Sequence, residues 1–265
     1  MESAEQRAVR RRRRTAFGQI AERYDRYRPG YPAGLADALV ATARLGPGGS
    51  VLEIGCGTGQ LTGLLRDRGL RVTALDVSAP MIAVARQRVT GAGVSFQVSS
   101  FEEFPAEAAS YDLVVSADAF HWVDPEVRYT KTQDALRPGG WLAVIACDDS
   151  YDEPLQGVVE RMWIARSEHG SAWLRTPKPT VADEMRASGR FGAVVEAVRE
   201  WRLTRSPDEV VGLETTRATA LGWGPDGARQ FARELRARIG DVRVVQLTRR
   251  AHLAMAERPA TPAGG

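Results

Sequence analysis

Val51-Leu-Glu-Ile-Gly55-Cys-Gly57-Thr-Gly59-Gln60 is the stretch of sequence that decides the fold. Three glycines alternate directly after an apolar run, and an amphipathic pattern follows them. Because glycine lacks a Cβ, the backbone can turn sharply at these positions and a ligand can lie against it. The stretch therefore predicts a strand, a glycine-rich turn and a helix, an arrangement that several nucleotide-binding folds share.

A carboxylate ends the next predicted strand, which runs Arg71-Val-Thr-Ala-Leu-Asp76. A carboxylate in this place can accept hydrogen bonds from ribose hydroxyls. A dinucleotide fingerprint would be G-x-G-x-x-G, whereas this loop is G-x-G-x-G, and no G-x-x-x-x-G-K-[ST] phosphate-binding loop occurs. The two features together predict one ligand site that contains the glycine turn and Asp76.

Strand and helix patterns alternate from residue 51 onward. Such alternation is typical of a mostly parallel sheet that is covered by helices on both faces and binds ligands beyond the carboxyl ends of its strands. Buried strands are predicted at 51–55, 71–75, 94–98, 111–116 and 141–147, and helices at 59–69, 79–90 and 125–136. Further along, the pattern predicts helices at 153–168, 206–220 and 226–239, and two more strands at 193–203 and 241–254.

The glycine loop (Glu53-Ile-Gly-Cys-Gly-Thr-Gly59) and the acidic end of the second strand resemble the first two motifs of the class I S-adenosylmethionine-dependent methyltransferases. The resemblance continues through Tyr111-Asp112-Leu-Val-Val-Ser116, Phe120-His121-Trp122 and Leu136-Arg-Pro-Gly-Gly-Trp-Leu142. Upstream, residues 17–32 (FGQIAERYDRYRPGYP) resemble the lead-in of the methyltransferase type 11 subgroup that includes trans-aconitate methyltransferases. The similarity covers residues 17–147, and the layout of residues 201–252 is also similar.

This resemblance implies an α/β fold, namely a Rossmann-like, doubly wound, mostly parallel seven-stranded sheet with helical cap insertions. It implies S-adenosyl-L-methionine as the cofactor, S-adenosyl-L-homocysteine as the product, and no metal. We expect a flexible basic tail at residues 1–15, a single methyltransferase domain at 16–255 and a frayed tail at 256–265. Within the domain we expect lid helices at 16–50, the cofactor-binding core at 51–147, and acceptor-cap helices with the last two strands at 148–255.

The resemblance also assigns cofactor contacts to individual residues. Glu53 suits the cationic amino end of the cofactor, although Glu53 and the glycines could instead be structural, and Asp76 could cap the following helix. Ser100 stands where relatives commonly have an aspartate, so the contact to the adenine amino group could come from Phe101, Glu102 or the backbone. The predicted cofactor-binding residues are Tyr24, Arg28, Glu53, Gly55, Cys56, Gly57, Gly59, Gln60, Asp76, Val77, Met81, Ser100, Phe101, Glu102 and Ser116.

An aromatic and basic group precedes the first strand, and it predicts either a lid or a helix that packs on the sheet. As a lid, its tyrosines would close over the sulfonium, and Arg28 would bind a carboxylate of the cofactor or the acceptor, since a guanidinium can engage a carboxylate through two hydrogen bonds. We favour the lid, which consists of Tyr24, Tyr27, Arg28 and Tyr31.

Two candidate general bases follow the fourth strand. His121 can accept a proton near neutral pH, because the reference pKa of histidine is about 6.5; the alternative is that His121 and Trp122 only pack there. Asp118 could act as a base or hold the loop. The predicted acceptor-binding residues are Tyr27, Tyr31, Phe120, His121, Trp122, Trp163 and Trp223.

The favoured function is methyl transfer to an O, N or C atom of a small-molecule acceptor, either a carboxylate or an aromatic or apolar specialised metabolite. Six tryptophans, four of them in the C-terminal half (Trp163, Trp173, Trp201 and Trp223), are consistent with a large apolar or aromatic pocket. The alternatives are an RNA methyltransferase and a methyltransferase-like scaffold that does not transfer methyl groups. His169 could be a site residue or an exposed helix end.

Composition and charge limit the remaining classes. The arginine run at residues 10–14 could bind nucleic acid, but a solvated tail is the simpler interpretation, so a nucleic-acid partner is not expected. No apolar run reaches the roughly 18 residues of a membrane span, and no secretory signal is apparent. The two cysteines, Cys56 and Cys147, have no partners at zinc-ligand spacing, which favours a reduced cytoplasmic protein without zinc, either a monomer or a homodimer.

Overall fold

The computed structural model describes residues 14–167 and 179–260. Most of the arginine run, the predicted sites His169 and Trp173, part of the predicted cap and the last residues of the C-terminal tail lie outside these ranges. Within the described ranges, none of the helices is both long and apolar enough to cross a membrane.

Seven strands form one sheet in the order β3-β2-β1-β4-β5-β7-β6. The first five pair in parallel, whereas β7 runs antiparallel to both β5 and β6. The sheet confirms the predicted fold class. Its strands are β1 (Ser50–Ile54), β2 (Arg71–Asp76), β3 (Val94–Val98), β4 (Tyr111–Ala117), β5 (Leu136–Tyr151), β6 (Val195–Arg205) and β7 (Val245–Glu257).

Helices connect the strands and cover both faces of the sheet. A 3-10 turn at Phe17–Ile20 precedes the first of them, and another at Phe120–Trp122 follows β4. The helices are α1 (Ala21–Tyr27), α2 (Ala33–Thr42), α3 (Gln60–Arg66), α4 (Ala79–Arg88), α5 (Arg128–Ala135), α6 (Leu155–Ile164), α7 (Val181–Ala187), α8 (Pro207–Glu214), α9 (Ala218–Gly222) and α10 (Gly224–Ile239).

The central strands β1 and β4 are apolar because both faces of the sheet are buried there, whereas the edge strand β6 is largely exposed. Successive residues of a strand point to opposite faces. Val51 accordingly packs into one core with Leu35 of α2 and Leu61 of α3. Its neighbour Leu52 packs into a second core with Tyr129 of α5. This burial on two sides explains why the strands are continuous apolar runs rather than alternating patterns.

A third core lies under the C-terminal helices. Phe231 of α10 is fully buried there with Val210 of α8, Leu247 of β7 and Met162 of α6. The Ser206 side chain accepts a hydrogen bond from Glu209 N at the start of α8, as the sequence predicts. We refer to α6, α8, α9 and α10 as the cap.

The two C-terminal strands begin and end later in the chain than predicted. Strand β7 pairs with β5 from Trp141 opposite Glu257 to Tyr151 opposite Leu247. The predicted frayed tail from residue 256 is therefore wrong at its start, because Arg258 N still donates to Gly140 O at 2.7 Å. The predicted helix at 206–220 is also wrong as a single element, since it divides into α8 and α9.

Helix α1 packs on cap helix α8 at a point where no side chain would fit. A Cβ on Gly212 would lie 2.4 Å from the Tyr27 ring. Two side-chain hydrogen bonds flank this contact, from Arg23 to Thr215 Oγ1 (2.9 Å) and from Arg28 Nε to Thr216 Oγ1 (3.1 Å). The N-terminal segment is thus attached to the cap, although 185 residues separate Tyr27 from Gly212 in sequence.

We predict that Gly212→Ala destabilises the protein by about 1–3 kcal/mol, because the added methyl group displaces the Tyr27 ring. Alanine is otherwise the better helix former by about 1 kcal/mol, so any loss reports the tertiary contact. Urea unfolding measures the change. Gly222→Ala is the matched control, since a Cβ there meets no atom within 4 Å. Equal stability of the two variants would contradict the packing of α1 on α8.

Candidate active site

A cavity of about 670 Å³ opens beyond the carboxyl ends of β1, β2 and β4. This is the edge of the sheet where the sequence places the ligand site. Six predicted cofactor residues line it: Tyr24, Gly55, Gly57, Asp76, Val77 and Met81. Two residues predicted for catalysis or the acceptor, Asp118 and Trp122, line it as well. The remaining lining residues are Arg14, Phe17, Ile54, Ser99, Ala117, Ala119 and Val123.

The glycine loop forms one wall of the cavity. Gly55 has a φ of +71°, and a Cβ there would lie 2.3 Å from Ala119 Cβ, so only glycine allows the loops after β1 and β4 to approach so closely. Gly57 N donates to Asp76 Oδ2 at 3.0 Å. The glycine loop is thereby attached to the end of β2.

Asp76 occupies the end of β2 and is half-buried. Its second oxygen accepts a hydrogen bond from Ser78 N at 2.9 Å. Burial raises the pKa of Asp76, and the two backbone donors, from Ser78 and Gly57, lower it in part. Because each carboxylate oxygen has two lone pairs, Asp76 can still accept hydrogen bonds from a ligand in the cavity. Ser78 separately caps α4 by accepting from Met81 N.

Aromatic residues of the N-terminal segment cover the cavity. The Phe17 ring lies edge-on to Tyr24 (5.7 Å between centroids) and to Trp122 (6.2 Å). Arg14 Nη1 donates to both oxygens of Glu102, at 3.0 and 3.2 Å. Residues 14–28, which we call the lid, therefore lie across the cavity and contact the loops after β3 and β4.

Three predicted residues after β3 have partners within the protein. Ser100 Oγ donates to Glu103 Oε2 at 2.8 Å, and the Phe101 ring is buried in the second core. Glu102 binds Arg14 and accepts from Asp124 N at 3.0 Å. Ser99, rather than these three, lines the cavity.

Asp118 is held in an unusual backbone conformation with a φ of +55°. Its Oδ1 accepts from Cys147 N at 2.7 Å. Its Oδ2 accepts from Tyr31 OH at 3.2 Å and from Arg249 Nη2 at 2.8 Å. The sequence predicts Asp118 and Tyr31 separately, whereas the structure joins them through one carboxylate oxygen.

The Arg249 guanidinium is buried between two carboxylates. It binds Asp118 through Nη2, and its Nη1 donates to Asp149 Oδ1 at 3.0 Å. Burial alone would lower the pKa of Arg249, but the carboxylates, led by Asp149, raise it above its ordinary value. Arg249 is therefore a permanent cation on the β5 side of the site.

His121 lies on the 3-10 turn after β4, outside the lining of the cavity, and its ring stacks on Trp122 with 4.6 Å between centroids. Desolvation lowers its pKa, Asp118 raises it in part, and Arg128 lowers it. His121 is thus neutral at pH 7 and able to accept a proton. The neighbouring Phe120 ring is buried in the second core against Tyr129.

Comparison with known proteins agrees with this geometry. Residues 52–144 match the model of a family described as a methyltransferase domain. An uncharacterised methyltransferase of Mycobacterium tuberculosis is 33% identical over 210 residues, which cover 78% of this chain and 78% of that protein. The chain belongs to the class I S-adenosylmethionine-dependent methyltransferases.

Two further proteins are similar to this chain. A malonyl-[acyl-carrier protein] O-methyltransferase of Enterobacter lignolyticus is 38% identical over 135 residues, 48% of this chain and 50% of that protein. A solved structure from Anaeromyxobacter dehalogenans, assigned as a type II methyltransferase, has a TM-score of 0.62 at 26% identity. That alignment covers 89% of this chain and 99% of the other. The whole fold, and not only the glycine loop, is thus that of a methyltransferase.

In this protein, the other predicted cofactor residues lie around the cavity but do not line it. Arg28 donates to Thr216, and Ser116 Oγ donates to Ile54 O at 2.8 Å inside the sheet. Burial raises the pKa of the Cys56 thiol. Gly59 begins α3 with a φ of +82°, and Gln60 follows it as the first residue of that helix.

Contrary to the expectation that they line an acceptor pocket, Trp163 and Trp223 pack in the third core. Their rings are 4.9 Å apart, and both contact Phe231. Trp163 Nε1 also donates to Glu214 Oε2 at 2.8 Å. Trp163 and Trp223 therefore contribute to packing of the cap, and Tyr27 likewise contacts α8 rather than the cavity.

The sequence does not identify Arg14, Phe17 and Arg249 as residues of the site. Phe17 begins the lead-in segment that carries the family resemblance, so that resemblance could have identified it. Arg14 belongs to a run that resembles a solvated tail, and the predicted tail at 1–15 is wrong for this residue, which lines the cavity. Arg249 had no local signal, because its partner Asp118 is 131 residues away.

In the described ranges, no group of three His, Cys, Asp or Glu side chains is placed to hold a metal ion.

Two buried carboxyl groups, those of Glu53 and Glu214, differ sharply in their surroundings. Burial raises the pKa of Glu53 to about 8, while the hydrogen bond from Thr62 lowers it in part and Asp76 raises it further. Burial would also raise the pKa of Glu214, but Arg217, Tyr151 and Trp163 together lower it.

We predict that the stability of Glu53→Gln relative to wild type is greater at pH 8 than at pH 5.5. The folded state holds the proton of Glu53 up to about pH 8, whereas the unfolded chain loses it near 4.5, so Glu53 increasingly destabilises the fold between these values. Over this interval the advantage of the variant grows by about 2–3 kcal/mol. Urea unfolding at the two pH values measures it.

Glu214→Gln is the matched control, because Glu214 is a fully buried carboxylate with the opposite pKa shift. We expect it to destabilise the protein by about 3 kcal/mol, since Arg217 loses its closest partner. A Glu53→Gln advantage that does not change with pH would contradict the raised pKa.

Proposed function

We propose that this protein transfers the methyl group of S-adenosylmethionine to an O, N or C atom of a small-molecule acceptor. The observation that carries the proposal is the convergence of Gly55, Gly57 and Asp76 on one cavity beneath an aromatic lid. Family membership supports the same cofactor. When bound, the cofactor supplies a methyl group on a positively charged sulfur.

The residues around the cavity fit the parts of this cofactor. Asp76 retains lone pairs for ribose hydroxyls. Val77 and Met81 offer apolar surface for the adenine ring, and Ser99 adds a polar group beside them. The glycine loop leaves room for the amino acid portion, which Tyr24 covers from the lid. Glu53 would contribute only after losing its proton, which a nearby positive charge favours.

Fewer observations constrain the identity of the acceptor than that of the cofactor. Similarity to malonyl-[acyl-carrier protein] O-methyltransferases supports a carboxylate, but it spans only about half of each chain. The aromatic side chains of Phe17, Tyr24 and Trp122 support an aromatic or apolar acceptor. Arg28, the expected carboxylate ligand, already binds Thr216 through Oγ1 and the backbone oxygen.

Most of the rate would come from positioning and desolvation rather than from a covalent intermediate. The lid excludes water from the cavity, and the loops after β1 and β4 hold the reactants together. An acceptor amine or hydroxyl must also lose a proton. Neutral His121 could accept it, and so could Asp118, because its three hydrogen bonds leave one lone pair of Oδ1 free.

Isothermal titration with S-adenosylhomocysteine tests the cofactor site, with NAD as the competing ligand. We expect S-adenosylhomocysteine alone to bind, and Asp76→Asn to weaken it about 10–100-fold, as expected for loss of hydrogen bonds to a charged group. Asp112→Asn is the matched control, because Asp112 also accepts from a backbone N–H (Ser50, 2.7 Å) but lies at the amino end of β4. Unchanged affinity in Asp76→Asn would overturn the assignment.

A further inference from the structure

The cavity contains a second carboxylate, that of Asp118, which the cofactor does not need. Asp118 lies just after β4, on the opposite side of β1 from Asp76 at the end of β2. If Asp76 binds the ribose, as the proposed function requires, the sulfur end of the cofactor extends from β1 toward β4. Asp118 then stands beside the point of methyl transfer.

The backbone of Asp118 is strained, and its neighbours hold it in place. A left-handed conformation costs a non-glycine residue about 1–3 kcal/mol and persists only where the surroundings impose it. Here Cys147 N holds Oδ1 from β5, and Arg249 Nη2 holds Oδ2 from β7. Two strands therefore fix the direction in which the carboxylate points.

The carboxylate still has acceptor capacity toward the cavity. Tyr31 and Arg249 both donate to Oδ2, whereas Oδ1 accepts only from Cys147 N among the bonds of the described residues. Burial and Asp118 raise the pKa of Tyr31, so its hydroxyl stays protonated and donates. Since a carboxylate oxygen has two lone pairs, Oδ1 can receive one more donor.

Two arginines on the β5 side of Asp118, Arg249 and Arg217, already bind carboxylates within the protein. Arg249 lies between Asp118 and Asp149. Arg217 binds Glu214 at 2.8 Å and approaches Asp149 at 3.6 Å. A carboxylate acceptor placed beside Asp118 would be repelled by it, and Arg14 and Arg28 already bind Glu102 and Thr216. Placing it there would therefore cost free energy through like-charge repulsion and desolvation.

We propose that Asp118 is a specificity-determining residue that receives an N–H or O–H donor at the point of methyl transfer. The site thereby selects amines and hydroxyl compounds over carboxylates. Arg249 is the positioning residue, because it does not line the cavity and acts by holding Asp118. This inference rests on the proposed cofactor site, so its test must separate the two.

Sinefungin separates them without any knowledge of the acceptor. It is a cofactor analogue with a primary ammonium group where S-adenosylmethionine carries its transferable methyl group, whereas S-adenosylhomocysteine has nothing there. The ratio of the two dissociation constants, measured by isothermal titration at pH 7, therefore reports a partner for an N–H donor at that point. We expect sinefungin to bind at least tenfold more tightly than S-adenosylhomocysteine.

In Asp118→Asn the preference for sinefungin over S-adenosylhomocysteine should fall to about threefold or less. The affinity for S-adenosylhomocysteine should stay within about threefold of wild type. Asp149→Asn is the matched control, since Asp149 binds the same arginine but does not line the cavity. It should keep the preference. A preference unchanged in Asp118→Asn, or lost equally in Asp149→Asn, would overturn the role of Asp118.

Arg249→Gln tests positioning, and we expect it to lose most of the sinefungin preference while Arg249→Lys restores part of it. If Arg249→Gln does not fold, the double variant Asp149→Asn/Arg249→Gln removes one charge of each sign and serves in its place. A full preference in either variant would contradict the role of Arg249. Failure of wild type to bind both ligands would instead refute the proposed function, whereas tight S-adenosylhomocysteine binding without preference would refute this inference alone.

Discussion

The close approach of Gly55 to Ala119 is the constraint on which the rest of the site depends. A Cβ on Gly55 would lie 2.3 Å from that of Ala119, so the loops after β1 and β4 touch at this point. The contact sets the distance between Asp76 and Asp118, which lie on either side of it. The cavity is therefore a property of the sheet edge and its two loops, and the lid only covers it.

Three carboxyl groups near this edge differ in environment, and this difference assigns their roles. Glu53 is buried with a single hydroxyl partner, and its pKa is raised to about 8. Asp76 is half-buried with two backbone donors and spare lone pairs facing the cavity. Asp118 is paired with the Arg249 guanidinium. The same functional group, a carboxyl, thus occurs at this edge in three different environments.

Local sequence predicted the parts of the fold that local physics determines. The glycine turn, the position of Asp76 and the Ser78 cap each follow from a few adjacent residues, and the structure places them as expected. The apolar runs likewise predicted the central strands, because strands such as β1 and β4 are buried on both faces. Boundaries failed where pairing partners decide them, as at the end of β7, which extends to Glu257 opposite Trp141.

The acceptor side could not be predicted in the same way, because contacts distant in sequence build it. Arg249 meets Asp118 across 131 residues, and Tyr31 meets it across 87. Trp163, which composition suggested for the acceptor, is held in the third core by the carboxylate of Glu214. A motif of adjacent residues can therefore specify the cofactor, whereas the acceptor depends on which side chains the last strand and the lid bring to the loop after β4. That division explains why similarity to a malonyl-[acyl-carrier protein] O-methyltransferase over about half the chain does not determine the acceptor of this methyltransferase.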